Sequence, residues 1–170
     1  MMNIRTAAGV LAGLLFSLGA VSQAAADAAG QDPRVARGRY LVVVAGCNDC
    51  HTPGYPEQGP KVPEQDWLTG VPVGYQGPWG TSYASNLRLV LNSMTEAQWL
   101  KHARQERLPP MPWFNLREMT DEDLKAVYAY VRSLGAAGVA APAYVAPGGK
   151  VSTPYFVFVP QVDRKQAAAR

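Results

Sequence analysis

The chain has 170 residues, of which 48% are hydrophobic and 17% charged, enough for one domain with a real core. Its net charge of +3, from 16 basic and 13 acidic residues, is too slight a bias to argue for nucleic acid, and no Lys/Arg run appears. The 2 cysteines permit one disulfide at most, which excludes a small, multiply bridged scaffold.

Residues 1–26 are built as an export signal: positive charge at Arg5, an apolar stretch from Ala7 to Val21, then small residues at Ser22, Ala24 and Ala26. Cleavage is expected after Ala26, with Ala24 the alternative, because the apolar stretch is shorter than the roughly 20 residues a membrane-spanning helix needs. An exported protein of this kind is expected in the periplasm, an oxidising space where a free thiol pair does not persist unmodified. Loss of Arg5 leaves 15 basic residues against 13 acidic ones.

Asp32-Pro33 reads as a cap followed by proline at the first helical position, and predicts a helix to about Ala45. From Pro53 to Gly80 there are 6 prolines and 6 glycines. Such a stretch forbids long helices and uninterrupted sheet ladders, and predicts an ordered loop region wrapped around something. Thr95 with Gln98 forms a capping-box pattern for a second helix ending near Glu106. Thr120, the acidic turn Asp121-Glu122-Asp123, and apolar Leu124, Val127, Tyr128, Val131 and Leu134 predict a third, closed by Gly135. The domain is thus expected over 27–135, and 136–170 as an Ala/Pro/Gly-rich tail, packed on the body or trailing from it, with one apolar patch at Tyr155-Phe156-Val157-Phe158-Val159.

The chemistry concentrates in Cys47-Asn48-Asp49-Cys50-His51. Two thiols at this spacing match the two vinyl groups of one porphyrin, and the adjacent imidazole meets the iron, which is the attachment pattern of one covalent haem c. A redox dithiol would want a thioredoxin-like βαβ setting, and zinc would want four ligands in a recognisable spacing; neither is present in the sequence. For the distal iron position three methionines follow the signal. Met94 and Met119 each precede a helix cap and are explained as hydrophobic staples to Trp99 and Leu124. Met111 lies in Leu108-Pro109-Pro110-Met111-Pro112-Trp113, where three prolines stiffen an extended segment that presents one thioether. Met111 is therefore the expected distal ligand. His102, beside Trp99, Leu100 and Ala103, is the alternative and reads better as a half-buried helix histidine.

These residues, with Met119 to Leu134 as a terminal helix, resemble a class I bacterial cytochrome c domain over residues 30–135. Gly38 and Tyr40 are similar to the small and aromatic residues of that family's first helix, which cross the last helix beside Tyr128 or Tyr130. Gly77-Pro78-Trp79-Gly80-Thr81 and Ser85-Asn86 are weaker matches to its haem-enclosing loops. The resemblance implies a mainly α, small helical fold wrapped around one covalently bound haem, with His51 and Met111 on opposite faces. The Pro/Gly-rich insert and the tail beyond Gly135 depart from it.

The expected function is one-electron transfer between redox partner proteins that dock transiently, with no small-molecule substrate at the iron and membrane association only through a partner or an uncleaved signal. Trp79, Trp99, Trp113 and Tyr83 are candidates for packing on the haem, with a plain core role an equal reading for each. Asn86, Ser85 or Arg88 are candidates from loop position to hold a propionate, and Lys101, Arg104 and Arg107 offer a weak basic rim but read better as a solvated helix face. One alternative is a cytochrome subunit or electron-accepting module of a dehydrogenase or oxidase complex. A second is a five-coordinate haem enzyme or sensor, which requires that Met111 not bind iron.

Overall fold

A computed structural model describes residues 32–159. The predicted export signal lies outside these residues. Among them no helix is long and apolar enough to cross a membrane.

Helix α1 (Pro33–Val44) starts on its proline, as the sequence predicts, and meets the last helix, α7 (Asp121–Ser133), at Gly38. A Cβ at Gly38 would stand 2.0 Å from the Ala126 carbonyl oxygen and 2.7 Å from the Tyr130 Cβ, so only glycine permits this crossing. Tyr40 does not share that role. It is 54% exposed and lies beneath the Arg37 guanidinium, because its position on α1 points away from the crossing. Helix α7 has the expected cap, Thr120 accepting from the Asp123 amide at 3.1 Å, and Gly135 follows at φ 72°, the left-handed conformation that ends helices. Its stripe of Leu124, Val127, Tyr130 and Val131 is buried and joins Leu41, Val42, Leu91 and Trp99 in one core.

Between these helices lie α2 (Cys47–His51), α3 (Tyr55–Gln58), two 3₁₀ turns (Gly59–Lys61 and Glu64–Asp66), α4 (Leu87–Asn92), α5 (Glu96–Ala103) and α6 (Trp113–Glu118). Both halves of the Thr95–Gln98 capping box form at the start of α5. That helix ends at Ala103 rather than near Glu106, because Arg107 turns back to donate to the His102 carbonyl at 2.8 Å before the prolines begin. The short helix α4 is capped by the Asn86 side chain, which accepts from the Leu89 amide at 3.0 Å.

The glycine- and proline-rich stretch does more than wrap. It ends in a hairpin of β1 (Gly74–Gly77) and β2 (Gly80–Tyr83), paired antiparallel from Gly74↔Tyr83 to Gly77↔Gly80. Strand β3 (Tyr155–Val157), from the tail, adds parallel to β1, giving the order β2-β1-β3. Each strand is only three or four residues long, which is how a ladder coexists with this composition.

Candidate functional site

Gly46 adopts φ 69° and turns the chain out of α1 into α2, so Cys47, Cys50 and His51 share little more than one helical turn. Both cysteines are half-buried, and neither is in a disulfide. Enclosure of its sulfur pushes the Cys47 thiol up to about 11, with the Asp49 carboxylate adding to the shift. Asn48 is buried and accepts from Thr52 Oγ1 at 2.8 Å, and Thr52 Oγ1 accepts from the Leu68 amide at 2.8 Å. The His51 carbonyl accepts from the Gly70 amide at 2.8 Å. These bonds fasten α2 to the segment that follows it.

His51 itself is buried, and its Nδ1 lies 2.7 Å from the Ser85 carbonyl oxygen. A carbonyl only accepts, so Nδ1 carries the proton and Nε2 keeps its lone pair. Burial lowers the imidazole's pKa, opposed by the bond to Ser85, and the ring is held neutral. This is the arrangement of a metal-binding histidine, in which one nitrogen is oriented by a carbonyl and the other is left for the metal.

Met111 is half-buried and comes into contact with His51. Its segment is anchored from the hairpin, since Ser82 Oγ donates to the Pro109 carbonyl at 2.6 Å, and internally by the Met111 amide to the Leu108 carbonyl at 3.3 Å. Met94 and Met119 pack against the core, in keeping with their reading as staples. His102 is half-buried beside Trp99, with ring centroids 6.1 Å apart. Two free thiols, one imidazole nitrogen and one thioether form a donor set that fits a covalently attached haem. Among the described residues no group of three or more His, Cys, Asp or Glu side chains is placed to hold a metal ion. Among the same residues both cysteines precede the three strands, unlike a thioredoxin-type dithiol.

Several secondary expectations are corrected. Asn86 caps α4 and donates to the Ala137 and Val139 carbonyls, and Arg88 donates to the Gln65, Leu134 and Gly135 carbonyls. Both are buried and engaged internally, rather than placed to hold a propionate. Ser85 acts through its main-chain carbonyl. Trp99 is a core residue whose Nε1 donates to the Leu124 carbonyl at 2.8 Å. Tyr83 pairs its hydroxyl with Thr153 Oγ1 at 2.7 Å. The two arginines weighed for a basic rim have local partners: Arg104 pairs with Asp121 and donates to the Arg117 and Met119 carbonyls, and Arg107 turns back onto α5.

Two contributors carry no signal in the sequence. Tyr75 on β1 lies beside Cys50, and its phenol is pushed up to about 12 by burial first and then by that neighbour. Ser82 on β2 holds the Met111 segment. Each depends on which distant residue the hairpin meets, and no local pattern encodes that.

The protein-family model described as Cytochrome c matches residues 35–135. Among curated proteins, the fructose dehydrogenase cytochrome subunit of Gluconobacter japonicus is 31% identical over 112 residues, covering 58% of this chain and 21% of the relative. The gluconate 2-dehydrogenase cytochrome c subunit of Pantoea cypripedii is 32% identical over 123 residues, covering 64% of this chain and 28% of the relative. The chain therefore spans less than a third of the length of either relative. No solved structure gives a significant match.

Proposed function

The chain belongs to the cytochrome c family and binds haem c covalently, and from that premise we propose that Cys47 and Cys50 form its two thioethers, His51 is the proximal iron ligand and Met111 the distal one. The protein is an electron-transfer protein. The observation that carries the ligand assignment is the bond from His51 Nδ1 to the Ser85 carbonyl, which places the proton on Nδ1 and keeps the Nε2 lone pair for the iron.

Haem iron, cycling between ferric and ferrous, supplies the one-electron chemistry. The residues set its terms. The thioether of Met111 favours the softer ferrous state, and the neutral, buried His51 adds no charge of its own. With His51 and Met111 both given to the iron, the protein would leave no place on it for a substrate. The prolines around Met111 and the anchor at Ser82 fix the thioether before it binds, so little ordering opposes a weak bond.

The oxidised optical spectrum tests this. A methionine–iron charge-transfer band at the red end is expected in the wild type and in His102→Ala, and is expected to vanish in Met111→Ala. Its persistence in Met111→Ala would reject the assignment and return the five-coordinate or alternatively ligated readings.

The protein is exported to the periplasm, where mass spectrometry of the mature chain should find Asp27 as its first residue. Its partners are redox proteins that dock transiently. A second reading, favoured by the names of both relatives, makes it a cytochrome subunit of a dehydrogenase complex. Gel filtration of the native protein from its source separates the two: a free carrier elutes at its own mass, a subunit with a dehydrogenase.

A further inference from the structure

We propose that the C-terminal arm, residues 137–159, is a positioning part of the haem site: it braces the β1–β2 hairpin against His51 and the Met111 segment together. The proposal rests on the ligand assignment above and extends it to a region outside the family match.

The hairpin and the residues just after it touch the site at two places. Ser82 holds Pro109 two residues before Met111, and the Ser85 carbonyl receives the His51 ring. By itself a hairpin of four-residue strands is marginal in water and would hold neither of these with precision. The arm supplies the missing support at each of the same points. Asn86, next to Ser85, donates to Ala137 and Val139 of the arm at 2.7 and 3.1 Å. Thr81, next to Ser82, exchanges two main-chain bonds with Val145, of 2.8 and 3.0 Å. The Tyr144 hydroxyl donates to the Trp79 carbonyl at 2.7 Å.

Strand β3 completes the brace. Gly74 donates to the Pro154 carbonyl at 2.9 Å and Phe158 to the Gln76 carbonyl at 2.7 Å, on either side of Tyr75. The Phe156 and Phe158 rings lie 5.9 and 5.8 Å from the Tyr75 ring and pack the arm against β1. Gly80 is adapted to the contact, since a Cβ there would stand 2.3 Å from the Val145 carbonyl oxygen. The arm thus bonds to the neighbours of Ser82 and Ser85, the two residues that hold the Met111 segment and His51. Its expected effects are on ligation and potential rather than on the helical core: a frame held closed excludes water, which favours the ferrous state.

The experiment uses the full-length, haem-loaded protein. Phe158→Pro removes one ladder bond and one ring from an exposed position, and Ser82→Ala removes only the hydroxyl that holds Pro109. The thermal loss of the methionine–iron band, the reduction potential and the urea unfolding of helical circular dichroism are followed in each. In Phe158→Pro the band should disappear about 4 °C earlier and the potential should fall, with urea unfolding of the helices unchanged. Ser82→Ala should move both in the same direction. A chain ending at Ala136 removes the arm outright and should show the larger form of both effects. Wild-type band stability and potential in both Phe158→Pro and the shortened chain would overturn the proposal. So would a shortened chain that loses helix and haem together, because the arm's role would then be global. A wild-type spectrum with no methionine–iron band would instead overturn the ligand assignment and leave the arm's contacts to be read without it.

Discussion

Helices α1 and α7 meet through side chains taken out of water, whereas the sheet is joined through main-chain bonds and rings that remain in it. Val42, Leu91, Leu124 and Val131 are 0% exposed, while every residue of β3 is exposed. Burial of one such aliphatic side chain contributes about 1.5–3 kcal/mol, against about 1 kcal/mol for a net hydrogen bond. The helical body therefore sets the stability of the molecule, and the sheet sets the placement of groups around the haem. A change in one region should be separable from a change in the other.

The strongest way to break the body is Gly38→Val, which forces side-chain atoms into the Ala126 carbonyl and should destabilise by about 3 kcal/mol or more in urea unfolding. Leu124→Ala, which empties a fully buried position, should cost about 3 kcal/mol by the same measurement and leave the Thr81–Val145 pairing intact. In the sheet the corresponding change is Gly80→Ala, where φ is 96° and the added Cβ meets Val145. It should cost about 1–3 kcal/mol, seen by hydrogen exchange as faster opening at the Val145 amide with the Val127 amide unaffected. Equal acceleration at both amides would show that the two regions open as one. Thr95→Ala loses the capping box and should cost about 1 kcal/mol, confined to the body.

The smallest effect concerns pH. Tyr130 donates to Glu64 Oε1 at 2.8 Å, and its phenol is raised above the ordinary 10.0 by burial first and by the carboxylate second. The fold thus favours the neutral phenol. Its contribution is complete below the unfolded value of 10.0 and is lost as pH rises beyond it. Tyr130→Phe should flatten the alkaline end of the stability profile, measured as urea midpoints from about pH 8 to 11. An unchanged alkaline slope would assign that loss to other groups.

The same division governs what is legible in the sequence. Helix α7 announces itself through Thr120, three acidic residues, a 3.6-residue stripe and Gly135, all within sixteen residues. Cys47, Cys50 and His51 are legible because the chemistry requires contiguous spacing, and Met111 because prolines leave its segment no other conformation. The hairpin is hidden. Gly74-Tyr75-Gln76-Gly77 has no alternation, and β1 becomes a central strand only through Tyr155–Val157, about eighty residues on. Ser85 was visible as a polar loop residue, but its working atom is a main-chain oxygen, which any residue other than serine also carries. The side-chain roles inferred for Asn86 and Arg88 failed for a related reason: their partners are carbonyls in Gln65 and Leu134 to Val139, presented by segments distant in sequence.

Strand β3 is the last in the sheet, and its outer edge is a row of uncharged aromatic and β-branched residues open to other chains. Such an edge is a template for self-association. Here the row is short: β3 pairs over Tyr155–Val157 alone, well below the six or seven residues from which stable cross-β stacks are built. The brevity that suits the strand to its own small hairpin also makes its outer edge a poor template for a second copy.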